Sequence, residues 1–170
     1  MGCSGILADL RPPLDADYVR AFQRLADLNL EIRRLGRTPA RLLRKAVLES
    51  AVGNLHASRD SAEEAVLRAP ESAEARYNLG VASLLVAYAE AGALECMPRA
   101  DEHPPVRSLV HDALAALSAA CERNPDDGEA HHLRRHVEHL LTTCRTDLDV
   151  LGHLRAERVP ARPPRPQPRR

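Results

Sequence analysis

Three imidazoles recur at helical spacing towards the C-terminus, His132, His136 and His139, and Glu129 stands one turn before them. Steps of three and four put all four side chains on one face of a helix. His132 and His136, at i and i+4, could share a Zn2+ or Ni2+ ion, with His139, Glu129 or a neighbouring cysteine completing the shell. The same face could instead protonate near about pH 6 and make partner binding respond to pH, or it could be an ordinary solvated face. Hydrolytic chemistry has no support, because Leu133 follows His132 where an H-E-x-x-H helix carries its glutamate base. The chain also lacks a Gly-rich phosphate loop and a G-x-S-x-G elbow. Neither an enzyme activity nor a cofactor is expected.

The other reactive residues point to structure. Cys3, Cys96, Cys121 and Cys144 form no C-x-x-C pair, and Met1 to Leu7 has neither the basic start nor the apolar stretch of a secretory signal. Reduced thiols in a cytoplasmic protein are the expectation. Cys121 and Cys144 fall on apolar faces and read as core. Gly2-Cys3 does not complete an acylation motif, since Ile6 stands where Ser or Thr is needed. The purely apolar run near residues 84–87 is too short to cross a bilayer, so no membrane partner is expected.

These side chains need elements to position them, and composition says which kind. Hydrophobic residues make up 44% of the 170, but aromatic residues only 2%. A core of Leu, Ala and Val favours helix. The charge is balanced at 24 basic and 24 acidic residues, yet Arg158, Arg162, Arg165, Arg169 and Arg170 crowd an acid-free end. The remaining body is mildly acidic, which disfavours nucleic-acid binding.

The spacing predicts about six helices. Residues 1–14 read as irregular, and residues 15–158 as the helical domain. The first helix, capped by Asp15 or Asp17, carries the stripe Tyr18, Phe22, Leu25, Leu28, Ile32 and Leu35 and stops at Gly36. Thr38-Pro39 opens a second helix with Leu43, Ala46, Val47, Ala51 and Leu55. Ser61 and Glu64 have capping-box spacing for a short third helix ending near Pro70. The fourth runs from about Ser72 to Glu95, and Pro98, Pro104 and Pro105 bracket a polar loop. A fifth carries Val106 to Ala120. Asp126 and Glu129 repeat the capping-box spacing before the sixth, which carries Leu133, Val137 and Leu140. Residues 159–170 are mostly Pro and Arg, with P-x-x-P spacings at Pro160/Pro163 and Pro163/Pro166, and are expected to be disordered.

Two stretches share a pattern. In the first, Ala65 and Pro70 precede Ala75-Arg76-Tyr77-Asn78-Leu79-Gly80. In the second, Ala113, Leu117, Ala120 and Pro125 precede Ala130-His131-His132. Both resemble the junction between tetratricopeptide (TPR) repeats, where small residues let helices approach and a proline ends each helix pair. The resemblance covers residues 65–140, about two degenerate repeats. It departs at Arg134 and Arg135, which stand where Leu and Gly are expected. The two prolines lie 125 − 70 = 55 residues apart, against about 34 for one repeat. The resemblance implies an all-α, antiparallel array of helix hairpins with a concave groove lined by the first helix of each pair. It places the ligand-facing positions on Glu74, Tyr77, Asn78, Val81 and Leu84, and on Glu129, His132, His136 and His139. The function it implies is a non-enzymatic scaffold that binds a protein or peptide. The alternative is a metal- or pH-responsive regulator using the histidine face. Two repeats need extra cover, which a homodimer through the first or sixth helix would supply.

Overall fold

The computed structural model describes residues 16–93 and 106–143, with side chains described outside 91–93. Among these residues the fold is all-α: α1 (Ala16–Leu35), α2 (Pro39–Ala51), α3 (Leu55–Arg68), α4 (Ala73–Ala93), α5 (Val106–Arg123) and α6 (Gly128–Thr143). The expected disordered tail, the irregular N-terminus and the thiol of Cys144 lie outside the described residues.

Local chemistry sets the boundaries. Gly36 adopts φ +83° and its N–H donates to the Ile32 carbonyl, closing α1. Thr38 Oγ1 accepts from the Arg41 N–H, with Pro39 in the first turn of α2. Ser72 Oγ caps α4 through the Ala75 N–H at 3.1 Å. The cap of α6 is Asp127, one residue later than its sequence spacing suggests. Its Oδ1 accepts from the N–H groups of Glu129 (3.1 Å) and Ala130 (3.0 Å).

Short turns return the chain after α1, α2, α3 and α5, so successive helices lie antiparallel, and α2 also touches α4. Small side chains hold the first layers close: Leu42 and Leu43 meet Ala65 and Ala75, and Ala46 meets Ala62 and Ala82. Larger residues fill the second half, where Leu84, Val106, Val110, Leu117, Val137 and Leu140 join α4, α5 and α6. At Gly80, a Cβ would lie 2.6 Å from Leu117 Cγ and 3.3 Å from the Ala113 carbonyl oxygen. The close approach expected at Gly80 and Ala113 is therefore present.

Three expectations about helix faces need correction. The α1 stripe buries only its middle: Leu25 and Leu28 are covered, whereas Tyr18, Phe22 and Leu35 are exposed, because α1 packs chiefly on the shorter α2. On α2, Val47 faces outward and Leu42 takes its place in the core. Ser61 caps nothing, since α3 starts at Leu55 and Ser61 lies mid-helix and buried. There its hydroxyl donates to Glu49 Oε2 (2.7 Å), while Lys45 Nζ reaches Glu49 Oε1 (3.0 Å) and Ser61 Oγ (3.3 Å). A polar triad thus joins α2 to α3, with its charges paired and hydrogen-bonded.

Candidate functional site: a groove between the first, second and fourth helices

An open groove of about 710 Å³ lies between α1, α2 and the first two turns of α4. Its apolar lining is Leu28, Leu43, Val47 and Leu48, and its rim carries Arg24, Asp27, Glu31, Arg44, Glu74 and Asn78. Val47 is 56% exposed although it is aliphatic and central on its helix. A smaller cavity of about 170 Å³ shares Val47 and Asn78 with the first and continues past Ser50 to Val81 and Leu85. The two form one trough along α2 and α4.

Arg41 fixes the α1 wall. Its Nε donates to Glu31 at 2.8 Å, and its terminal nitrogen donates to the Leu35 and Gly36 carbonyls at 3.2 Å each. One guanidinium therefore caps the end of α1 and ties it to α2. The hydrogen bond from Arg41, helped by the charges of Arg41 and Arg44 and opposed by burial, holds the Glu31 carboxyl below its ordinary value. Glu31 is thus already neutralised by the protein. Asp27 and Glu74 have no ion-pair partner among the described residues, so they carry the groove's available negative charge. Asn78 donates one amide hydrogen to the Glu74 carbonyl within its own helix (2.8 Å).

The sequence-derived positions divide. Glu74, Asn78 and Val81 line the trough. Leu84 is 7% exposed and packs with Val110, Val137 and Leu140, so it is core rather than wall. Tyr77 packs against that same cluster, and burial, together with a hydrogen bond to Glu129 and the charge of that carboxylate, pushes its hydroxyl up to about 12. The Glu129 carboxylate at the start of α6 thus lies near the Tyr77 hydroxyl rather than in the trough. His132 and His139 are exposed and His136 is half-buried. Among the described residues, no three His, Cys, Asp or Glu side chains converge as a metal-ligand group, so His132 and His136 gain no third ligand there.

Sequence reasoning missed the α1 and α2 walls: Arg24, Asp27, Glu31, Arg44 and Leu48. One signal was available, since Val47 makes α2 apolar over more of its circumference than one packing contact needs. Comparison with protein-family models, curated proteins and solved structures gives no match to this chain.

Proposed function

We propose that this chain is a TPR-like, non-enzymatic scaffold that holds a peptide segment in the trough between α1, α2 and α4. The observation that carries this reading is the trough itself, an apolar lining left open beside two carboxylates that have no ion-pair partner among the described residues. Buried-lining pockets with a few placed polar groups are the usual form of a ligand site. The repeat reading is supported by the helix caps: Thr38 and Ser72 are 72 − 38 = 34 residues apart, which is the length of one such repeat of about 34 residues. The α2–α3 pair thus reads as a repeat preceding α4–α5, with Ala46, Ala62 and Ala65 as its small contact residues.

The chemistry of the site selects its ligand. An aliphatic side chain fits over Val47 and Leu48, and a Lys or Arg beside it would face Asp27 and Glu74. Selection from a random peptide library on the immobilised protein tests this. The parent should enrich aliphatic residues flanked by a basic one. Val47→Glu and Glu74→Arg, both at exposed positions, should lose those peptides while keeping helical circular dichroism. Equal affinity of the selected peptides for parent and both variants would rule the trough out.

A further inference from the structure

The trough has a chemical order along its length. Leu42 and Leu43 of α2 meet Ala75 of α4, and one turn on Ala46 meets Leu79 and Ala82, so α2 and α4 run parallel. Glu31 of α1 bonds Arg41 of α2 at 2.8 Å and approaches Arg44 at 3.9 Å, which sets the level of the antiparallel α1 against α2. Glu74 therefore stands level with Ala40 and Glu31, at one end of the trough. Asp27 stands one turn further in, and Arg24 follows, level with Val47 and Val81. The far end is formed by Ser50 and Leu85. Carboxylates without an ion-pair partner among the described residues thus occupy one end, and aliphatic side chains the other.

We propose that the trough takes its ligand as an extended peptide, with a Lys or Arg beside Glu74 and Asp27 and an aliphatic residue three positions away over Val47 and Val81. This rests on the trough being a peptide site and adds the ligand's conformation and spacing. Width argues for the extended form. The helices α1 and α4 each touch α2, and packed helices lie about 8–10 Å apart axis to axis. The axes of α1 and α4 are then at most about 20 Å apart, and each helix with its side chains is about 10–12 Å across. The gap between the two walls is therefore at most about 8–10 Å, too narrow for a third helix. An extended chain needs only about 5 Å in the direction of its backbone hydrogen bonds.

The spacing follows from the rise of α4. Glu74 and Val81 are 81 − 74 = 7 positions apart on that helix, which is about 10 Å. An extended chain covers this distance in about three residues. Leu85 lies one turn beyond Val81, so a second aliphatic residue about two positions later reaches it. Arg24 sets the polarity. It has no ion-pair partner among the described residues and stands at the aliphatic level of the trough. A ligand laid in reverse would bring its cation to Arg24 and its aliphatic side chain to Glu74, so the charge order disfavours that placement as well as rewarding the other.

Fluorescence polarisation of the full chain with three labelled, end-blocked peptides tests this. The first is Arg-Ser-Gly-Leu-Ser-Leu, which carries the proposed spacing. The second is its isomer Arg-Leu-Leu-Ser-Gly-Ser. The third is an alanine-rich helical peptide that spaces the same Arg and Leu residues by seven and eleven positions, the spacing a helical ligand would need. The first should bind about tenfold or more tighter than either of the others. Glu74→Arg should lose it, and should bind the version with Glu in place of Arg more tightly than the parent does. Equal affinity for the isomer, or tighter binding of the helical peptide, overturns the extended, three-residue spacing and leaves the trough as a peptide site. If none of the three binds below about 1 mM while library-selected peptides do, this inference falls alone. If neither binds, the trough reading falls and takes this inference with it.

Discussion

Replacing Gly80 by alanine tests the packing of α4 on α5 at its closest point. The new methyl would sit 2.6 Å from Leu117 Cγ, 3.0 Å from Leu117 Cδ2 and 3.3 Å from the Ala113 carbonyl oxygen. Leu117 has little freedom to retreat, because it is fully buried in the cluster that joins α4, α5 and α6. The nearest atom is its branching carbon rather than a terminal methyl, and the third contact is backbone. Overpacking of this kind costs about 1–3 kcal/mol. Against it stands the helix propensity of alanine over glycine, about 1 kcal/mol in favour of the variant. The short Cγ contact places the packing cost in the upper part of its range, so the net loss is about 1–2 kcal/mol. Urea unfolding gives this difference directly, and the thermal midpoint should fall by roughly 3–8 °C. Leu117→Ala alone should cost about 2–5 kcal/mol by leaving a cavity. In the double variant the new methyl occupies part of that cavity, so the combined loss should fall short of the sum by about 1 kcal/mol or more. A Gly80→Ala protein more stable than its parent by the full propensity term would mean that α4 and α5 do not touch at this point, and the helix arrangement built on that contact would fail with it.

Three further outcomes are expected. Ultraviolet titration should show the Tyr77 phenol ionising near about 12 against an ordinary value of 10.0, and Glu129→Gln should bring it down. The folded state holds this proton more tightly than the unfolded one, so stability should decline as pH rises through that window and decline less in Tyr77→Phe. Glu49→Ala should cost about 3–5 kcal/mol by stranding the Lys45 ammonium between α2 and α3, and Lys45→Met/Glu49→Leu should recover most of it in the same unfolding assay. Arg41→Ala should speed hydrogen exchange of the α1 amides with little change in α5. In the parent, the Glu31 contribution is present above the ordinary carboxylate value of 4.5 and is lost as pH falls through its depressed folded value, so α1 protection should weaken in acid.

The all-helical class and the positions of most turns follow from the chain's own residues. Leu and Ala abundance, Thr38-Pro39, Gly36 and the Pro70 and Pro125 punctuation act locally, within a few bonds, so they can be read without neighbours. Which face of each helix is covered is different. Val47 and Leu42 are equally apolar on α2, and only the placement of α3 and α4 makes one of them trough lining and the other core. Ser61 has the spacing of a cap, yet the buried Glu49 across the interface takes its hydroxyl. The trough could not be read from α4 alone, because two of its three walls come from helices that precede it, and Arg41 sets where α1 stands by bonding both Glu31 and the end of that helix. Propensity and capping are short-range and belong to the sequence. Burial, and with it the choice between core and binding surface, is a property of the packed array, because it depends on which surfaces the other helices cover.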